Sequence, residues 1–324
     1  MIKLAIIGTN WITEQFIDAA KQTGEYELAA VYSRNLETAQ AFAVKHSAAQ
    51  SYDSLEQLGK SDIDAVYIAS PNSFHGPQAI EMMKAGKHVI VEKPMASNYA
   101  LACEMFEVAT QQGIVLMEAH TSPYIPNFQV LESSLGKVGK LRKANIQYCQ
   151  YSSRYQKYLN GENPNTFNPA FANGSIMDIG FYCVAGMVAL FGEPKSVQAN
   201  ATLLESGVDG HGSVICNYGD FDVVLTHSKI NDSFLPSEIM GEEGTLQVDM
   251  ISIANKVRFH QRDKAPFDLS VEQNDNRMFY EAQAFAERVK AGEMDEEATQ
   301  RSLITSKLLN EIRQQTGVVF PTDQ

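Results

Sequence analysis

Along the first 120 residues, short apolar runs alternate with stretches in which apolar positions recur every three or four residues. Residues 3–7 are a compact apolar run, 11–21 carry Ile12, Phe16, Ile17 and Ala20 at helical spacing, and 27–32 are apolar again, which makes one strand–helix–strand unit. A helix at 36–45, a strand at 65–69, a helix at 77–85, a strand ending at Glu92, a helix at 99–112 and a strand at 114–117 continue the alternation. Strands and helices alternating at this spacing predict a doubly wound α/β domain, a mostly parallel sheet with helices on both faces.

After His120 the rhythm changes. Thr121-Ser122-Pro123-Tyr124-Ile125-Pro126 interrupts it with two prolines, which places a boundary there and predicts domains at 1–120 and 121–324. Residues 141–151, 196–204, 212–218, 221–228, 238–241, 245–248 and 256–260 read as strands, with a tight hairpin at Tyr218-Gly219-Asp220-Phe221. Along 222–227 the alternation is mixed and leaves the buried face open. Helices at 278–290 and 297–315 close the chain. The loop 155–174, rich in Asn, Pro and Phe, is long enough to lie over a pocket, and its aromatics could equally anchor it to the core.

Composition narrows the function classes. A chain of 324 residues with 44% apolar content can bury a full core, and its length favours two domains. The net charge of −13 repels phosphate backbones and anionic lipid, so neither nucleic acid nor a membrane surface is expected as a partner. Cys103, Cys149, Cys183 and Cys216 are widely spaced, with no CxxC and no adjacent histidine. They suggest no metal site and no disulfide framework, and they fit a reducing cytoplasm. Met1 runs directly into the first strand, leaving no room for a targeting segment, and no apolar run of membrane length is expected.

The candidate chemistry lies at strand ends. Val89 to Val91 are β-branched, as in a strand covered on both faces, and Glu92-Lys93-Pro94 follow directly. Pro94 cannot donate to the ladder and favours an extended Lys93, so the lysine should project from the carboxyl edge, where open α/β sheets bind ligands. Charged strand ends also occur as plain solvated termini. After the first strand, Gly8-Thr9-Asn10-Trp11-Ile12-Thr13 aligns with the dinucleotide pattern GxGxxG but keeps only the first glycine. Asn10 tolerates a tight turn, although its side chain is expected to crowd a pyrophosphate, and Thr13 implies looser helix packing. The helix amino terminus still attracts phosphate. At the end of the second strand, where an acidic residue would select NAD, stand Ser33-Arg34, a hydroxyl and a guanidinium suited to the 2′-phosphate of NADP, or else a surface arginine beside a helix start capped by Ser33 or Asn35. Ser70-Pro71-Asn72 should form a polar turn beside Lys93, and His75 is either a cofactor neighbour or a helix-start histidine.

Together these residues resemble the Gfo/Idh/MocA family of NAD(P)-dependent oxidoreductases over nearly the whole chain. The resemblance rests on the first βαβ unit, Ala69-Ser70-Pro71-Asn72 with His75, Glu92-Lys93-Pro94, and Gly174-Ser175-Ile176-Met177-Asp178-Ile179-Gly180-Phe181-Tyr182. It implies a Rossmann domain followed by an α/β domain with a large, open, mostly antiparallel sheet that often mediates dimerisation. It also implies that Lys93 lies near the nicotinamide. Where many members carry a histidine four residues after the aspartate, this chain has Tyr182. In this it is similar to the branch containing glucose-fructose oxidoreductase and dimeric dihydrodiol dehydrogenase.

The expected cofactor is NADP, with NAD possible, held by Gly8, Thr9, Asn10, Trp11, Ile12, Ser33, Arg34, Ser70, Pro71, Asn72, His75, Glu92 and Lys93. The expected substrate is a sugar-like molecule or diol, bound by Lys93, His120, Asp178 and Tyr182, and the expected assembly is a cytoplasmic homodimer. Asp178 and Tyr182, spaced i and i+4, should share a face of a helix starting near Ser175. Moving a proton at the substrate oxygen requires a phenol tuned below its ordinary value of about 10, and a nearby ammonium does that. A tyrosine packed under the sheet and bonded to Asp178 would be a plain structural pair. A non-catalytic NADP-binding regulator and a redox glycosidase with a tightly held dinucleotide are the rival functions.

Overall fold

In a computed structural model that describes residues 1–323, the first alternation becomes a six-stranded parallel sheet. Its strands are β1 (Ile2–Ile7), β2 (Tyr26–Tyr32), β3 (Gln50–Tyr52), β4 (Ala65–Ile68), β5 (His88–Glu92) and β6 (Leu116–Ala119), in the order β3-β2-β1-β4-β5-β6. The connections are α1 (Trp11–Thr23), α2 (Leu36–His46), α3 (Leu55–Lys60), α4 (Asn72–Lys84) and α5 (Tyr99–Gln112). The strand order reverses between β1 and β4, the switch point at which such sheets bind nucleotides. Every residue of β4 and Val89, Ile90 and Val91 of β5 are buried, which accounts for their unbroken apolar runs.

Four elements differ from expectation. β3 and α3 were not anticipated, because a three-residue half-exposed strand and a six-residue helix with Leu58 as its fully buried apolar anchor leave no readable period. The helix expected at 77–85 starts at Asn72, so Pro77 lies in its second turn and costs one ladder bond rather than marking its start. β6 begins at Leu116 and runs to Ala119.

The second unit holds α6 (Pro126–Ser133), β7 (Leu141–Cys149), α7 (Tyr155–Leu159) and α8 (Phe181–Phe191). It continues with β8 (Ser196–Leu203), β9 (Asp209–Asn217), β10 (Asp222–Ser228), β11 (Ser237–Gly241), β12 (Thr245–Asp249), β13 (Lys256–His260) and β14 (Phe267–Asp268). The sheet order is β14-β13-β12-β11-β7-β10-β9-β8, antiparallel throughout except for the parallel β7–β10 pair. The β9–β10 hairpin turns at Gly219, whose φ is +97°, with the Tyr218 N–H donating to the Phe221 carbonyl at 3.0 Å. In β10 the buried positions are Val223, Leu225, His227 and Ser228, which settles the face that the sequence left open.

Contacts divide the chain into Met1–His120 with Asn274–Leu303, and Thr121–Gln273 with the described residues from Ile304 onward. A continuous second domain over 121–324 was expected, but α9 (Met278–Ala291) belongs to the first unit. It packs on α1, buries Ala282 and Phe285, and accepts the Tyr26 hydroxyl at the Ala282 carbonyl. Periodicity shows that a helix has an apolar face, not which core the face fills. The unit boundary falls inside α10 (Glu296–Thr316). One helical run, Pro169–Phe191, is long and apolar enough to cross a membrane, contrary to expectation, but 78% of its apolar window is buried and α8 packs on β7 and β10. It is a core element, not a surface of membrane type. In loop 155–174, Tyr155 and Tyr158 pack on fully buried Phe167 at 5.5 and 5.4 Å between centroids, so these aromatics anchor the loop.

Candidate active site

Around the switch point of the parallel sheet lies a cleft of about 210 Å³, lined by Gly8, Thr9 and Asn10 after β1, Ser33 and Arg34 after β2, and Ser70 and Pro71 after β4. Gly8 has φ +111°, and a Cβ there would stand 2.7 Å from the Ala69 carbonyl oxygen, so this turn demands glycine on both counts. Gly8→Ala is therefore expected to weaken NADPH binding at least about tenfold, measured by nucleotide fluorescence titration.

The turn does not draw on the tolerance of Asn10 for tight geometry; its φ is −93°. Its Oδ1 accepts the N–H groups of Ile12 and Thr13 at 3.0 and 3.2 Å, and its Nδ2 donates to the Ala69 carbonyl at 2.9 Å. The side chain is thus folded back as the helix cap rather than across the turn. Thr13, expected to loosen the packing, is fully buried with its hydroxyl 3.3 Å from Asn10 Oδ1. Arg34 is exposed, and its guanidinium carbon lies 5.4 Å from the centre of the Phe74 ring. That cation–π contact gives a flexible arginine a fixed direction at the rim of the cleft. Phe74 and Gln78, which also line the cleft, were not singled out from the sequence. Gln78 Oε1 accepts the Ser70 hydroxyl at 2.7 Å.

Trp11, Ile12, Asn72, His75, Glu92 and Lys93 do not line this cleft. Trp11 is 70% exposed. His75 is not on a turn but inside α4, buried, with Nε2 2.7 Å from the Ser70 carbonyl oxygen and Nδ1 2.9 Å from that of Pro94. It ties the loop lining the cleft to the residue after Lys93, and burial pushes its pKa down.

The backbone around Lys93 is braced by half-buried and buried polar groups. Glu92 accepts the Tyr67 hydroxyl at 2.7 Å and the Lys93 N–H at 3.3 Å, and Tyr67 stacks on Phe16 at 3.8 Å. The peptide between Lys93 and Pro94 is cis. Glu118 Oε1 accepts the Met95 N–H at 2.8 Å, and burial pushes the Glu118 carboxyl up to about 7. His120 is buried, and burial together with the charges of Arg301 and Lys93 pushes it down to about 3, so its ring is neutral at pH 7.

In the second unit, the Gly174–Tyr182 motif is not an α-helix from Ser175. Ile176–Gly180 forms a π-turn that runs into α8. Beneath it lies Asp209, fully buried, whose Oδ2 accepts the Ile176 N–H at 2.7 Å. A Cβ at Gly174, where φ is +139°, would stand 2.4 Å from Asp209 Oδ1, and one at Gly180 would stand 3.0 Å from the His227 ring. The two glycines are thus needed for the motif to close over these side chains. Burial pushes Asp209 up to about 6 and His227 down to about 3, so their 3.7 Å approach is not an ion pair. His227 Nδ1 instead meets the Ser175 hydroxyl at 2.8 Å.

Asp178 projects from the π-turn and forms an ion pair with Lys229, a residue that sequence reasoning missed. A lysine just after a strand reads as a solvated strand end, yet this side chain is only 4% exposed. Tyr182, half-buried in the first turn of α8, has its ring 5.8 Å from those of Tyr148 and Phe181. A carboxylate, a phenol and a buried ammonium on neighbouring elements form a set able to accept hydroxyl donors and move a proton.

Residues 2–120 match a family model described as oxidoreductase family, NAD-binding Rossmann fold, and residues 133–247 match the GFO/IDH/MocA C-terminal domain. The chain belongs to the GFO/IDH/MocA oxidoreductase family. This oxidoreductase is 56% identical over 324 residues to the uncharacterized oxidoreductase YgjR of Escherichia coli (strain K12), covering 100% of this chain and 99% of that one. It is 46% identical over 327 residues to scyllo-inositol 2-dehydrogenase (NADP(+)) IolU of Bacillus subtilis (strain 168), with both chains covered completely. It is 28% identical over 342 residues to trans-1,2-dihydrobenzene-1,2-diol dehydrogenase of Mus musculus, covering 100% of this chain and 99% of that one. The last relative bears out the branch suggested by a tyrosine in place of the usual histidine. In this family setting, Gly8, whose turn admits no Cβ, and the adjoining cleft fit a dinucleotide whose phosphates approach the backbone closely.

Proposed function

We propose that this oxidoreductase is NADP-preferring and interconverts an alcohol and a carbonyl on a polyol or vicinal diol, of which a cyclitol is the leading example. The observation that carries the cofactor preference is Arg34, directed by Phe74 at the rim of the cleft beside Ser33, with no acidic residue at either position. A guanidinium and a hydroxyl favour a 2′-phosphate over a 2′-hydroxyl. The substrate class is supported by the polyol and diol named for the relatives and by the carboxylate of Asp178 beside Tyr182.

Gly8, Thr9, Asn10, Ser33, Arg34, Ser70 and Pro71 would hold the dinucleotide, whose nicotinamide accepts or donates the hydride. In the oxidative direction Tyr182 takes the proton from the substrate hydroxyl, and in the reductive direction it returns one. Lys93 favours the phenolate and orients the reacting oxygen. Asp178 accepts hydrogen bonds from neighbouring substrate hydroxyls. A homodimer through the eight-stranded sheet, which leaves Leu203 and Ile215 exposed, completes the proposal, and sedimentation equilibrium tests it.

Arg34→Ala decides the cofactor assignment. It is expected to weaken NADPH about tenfold to 100-fold while changing NADH less than about threefold, because a charge-assisted phosphate contact contributes about 1.5–3 kcal/mol. Equal losses for the two nucleotides would refute the NADP preference. For the substrate class, the measurement is NADP⁺ reduction at 340 nm with scyllo-inositol and with cyclic trans-diols. Turnover of simple monoalcohols alone would refute it.

A further inference from the structure

The ion pair of Asp178 and Lys229 is unequally exposed, 36% for the aspartate side chain and 4% for the lysine. Lys229 is held by its main chain, with its N–H donating to the Gly210 carbonyl and its own carbonyl accepting from the Ser152 N–H, both at 2.9 Å. Its ammonium lies 5.5 Å from the centre of the Phe167 ring, the buried anchor of loop 155–174. Taking an ammonium out of water costs several kcal/mol, so a pair of this kind is weak ground for stability. Other titratable groups near the π-turn are Asp209 and His211 on β9, His227 on β10, Tyr182 and Cys183 on α8 and Tyr148 on β7. His227 is neutral, so the positive charge beside Asp178 from this group is that of Lys229.

We propose that Lys229 is a positioning residue that holds Asp178 as an inward-tethered carboxylate, and that the pair thereby selects neutral substrates bearing adjacent hydroxyls over sugar acids and phosphates. This rests on the reading of Asp178 as a substrate-side residue. An ionised carboxyl is acceptor-only, so it rewards hydroxyl donors and repels anions. The ammonium, buried and engaged by Asp178, is turned away from the role of an anion receptor. Losing it removes stabilisation from the charged form of Asp178, so the carboxyl must then titrate at higher pH.

The test uses the whole protein as Lys229→Met, Lys229→Gln and Lys229→Arg. The Asp178 carboxyl is followed by ¹³C NMR in aspartate-labelled protein and assigned by the signal lost in Asp178→Asn. Its midpoint should rise by about one pH unit or more in the Met and Gln variants and stay near wild type in Arg. With scyllo-inositol and NADP⁺, the KM should rise about tenfold or more in Met and Gln, with a smaller change in kcat and recovery in Arg. D-Glucuronate should remain a poor substrate for the wild type. An unmoved carboxyl titration, full recovery by Gln, or glucuronate turned over as well as scyllo-inositol would each overturn the proposal. A purely structural lysine would lower the thermal midpoint and leave titration and KM unmoved, which also overturns it. If Lys229→Met does not fold, the Gln and Arg variants decide the question. Failure of the wild type to act on polyols would refute the substrate class proposed above, while the NMR titration would still decide the role of Lys229.

Discussion

Tyr182→Phe is expected to lower kcat by roughly 100-fold to 10,000-fold while leaving NADPH affinity within about twofold of wild type. Oxidising an alcohol releases a proton from its oxygen, and a positioned base contributes most of that factor in the transition state alone, so kcat and kcat/KM should fall together. The ring of Tyr182 packs against Tyr148 and Phe181, and phenylalanine keeps both contacts, so the variant should fold normally. Steady-state kinetics beside a fluorescence titration of NADPH checks this. Turnover within about threefold of wild type would remove Tyr182 from the proposed mechanism.

Lys93→Met is expected to lower kcat by about 100-fold or more, and combining it with Tyr182→Phe should cost at most about tenfold beyond the worse single variant. Under the proposed mechanism the two groups serve one proton transfer and so act as a unit, and removing either forfeits most of what the pair does. Independent contributions would instead multiply. The comparison is clean because the backbone on either side of Lys93 is held by other residues. Glu92 accepts the Lys93 N–H, Glu118 accepts the Met95 N–H, and a ring nitrogen of His75 lies 2.9 Å from the Pro94 carbonyl oxygen. Loss of the side chain should therefore leave that loop in place. A multiplicative double variant would show that Lys93 and Tyr182 act at different steps.

Most of the nucleotide half was readable along the chain because its signals are local. Gly8 is needed for a turn formed by its immediate neighbours, and Ser33-Arg34 ends β2 by simple counting. The errors came from residues whose roles depend on distant partners. The Asn10 side chain was expected to crowd a pyrophosphate, but it is engaged by the first amides of α1 and by Ala69, 59 positions away. His75 had two readings, cofactor neighbour or helix-start histidine; it lies in the first turn of α4, and its two ring nitrogens face carbonyls that the fold brings together. Phe74, which directs Arg34, fell in the stretch before the helix expected at 77–85 and carried no signal of its own.

From residue order alone followed the parallel sheet and the break after His120, carried by periodicity, and the family, carried by short motifs that neighbouring residues complete among themselves; the mostly antiparallel pairing of the second sheet came only through the family resemblance. Folding in three dimensions assigned α9 to the first unit, turned the Gly174–Tyr182 motif into a π-turn over Asp209, and brought Lys229 to Asp178 across 51 positions. A buried charge pair and the choice of core for an amphipathic helix depend on what lies nearby in space, and neither leaves a repeat in the chain by which it could be found.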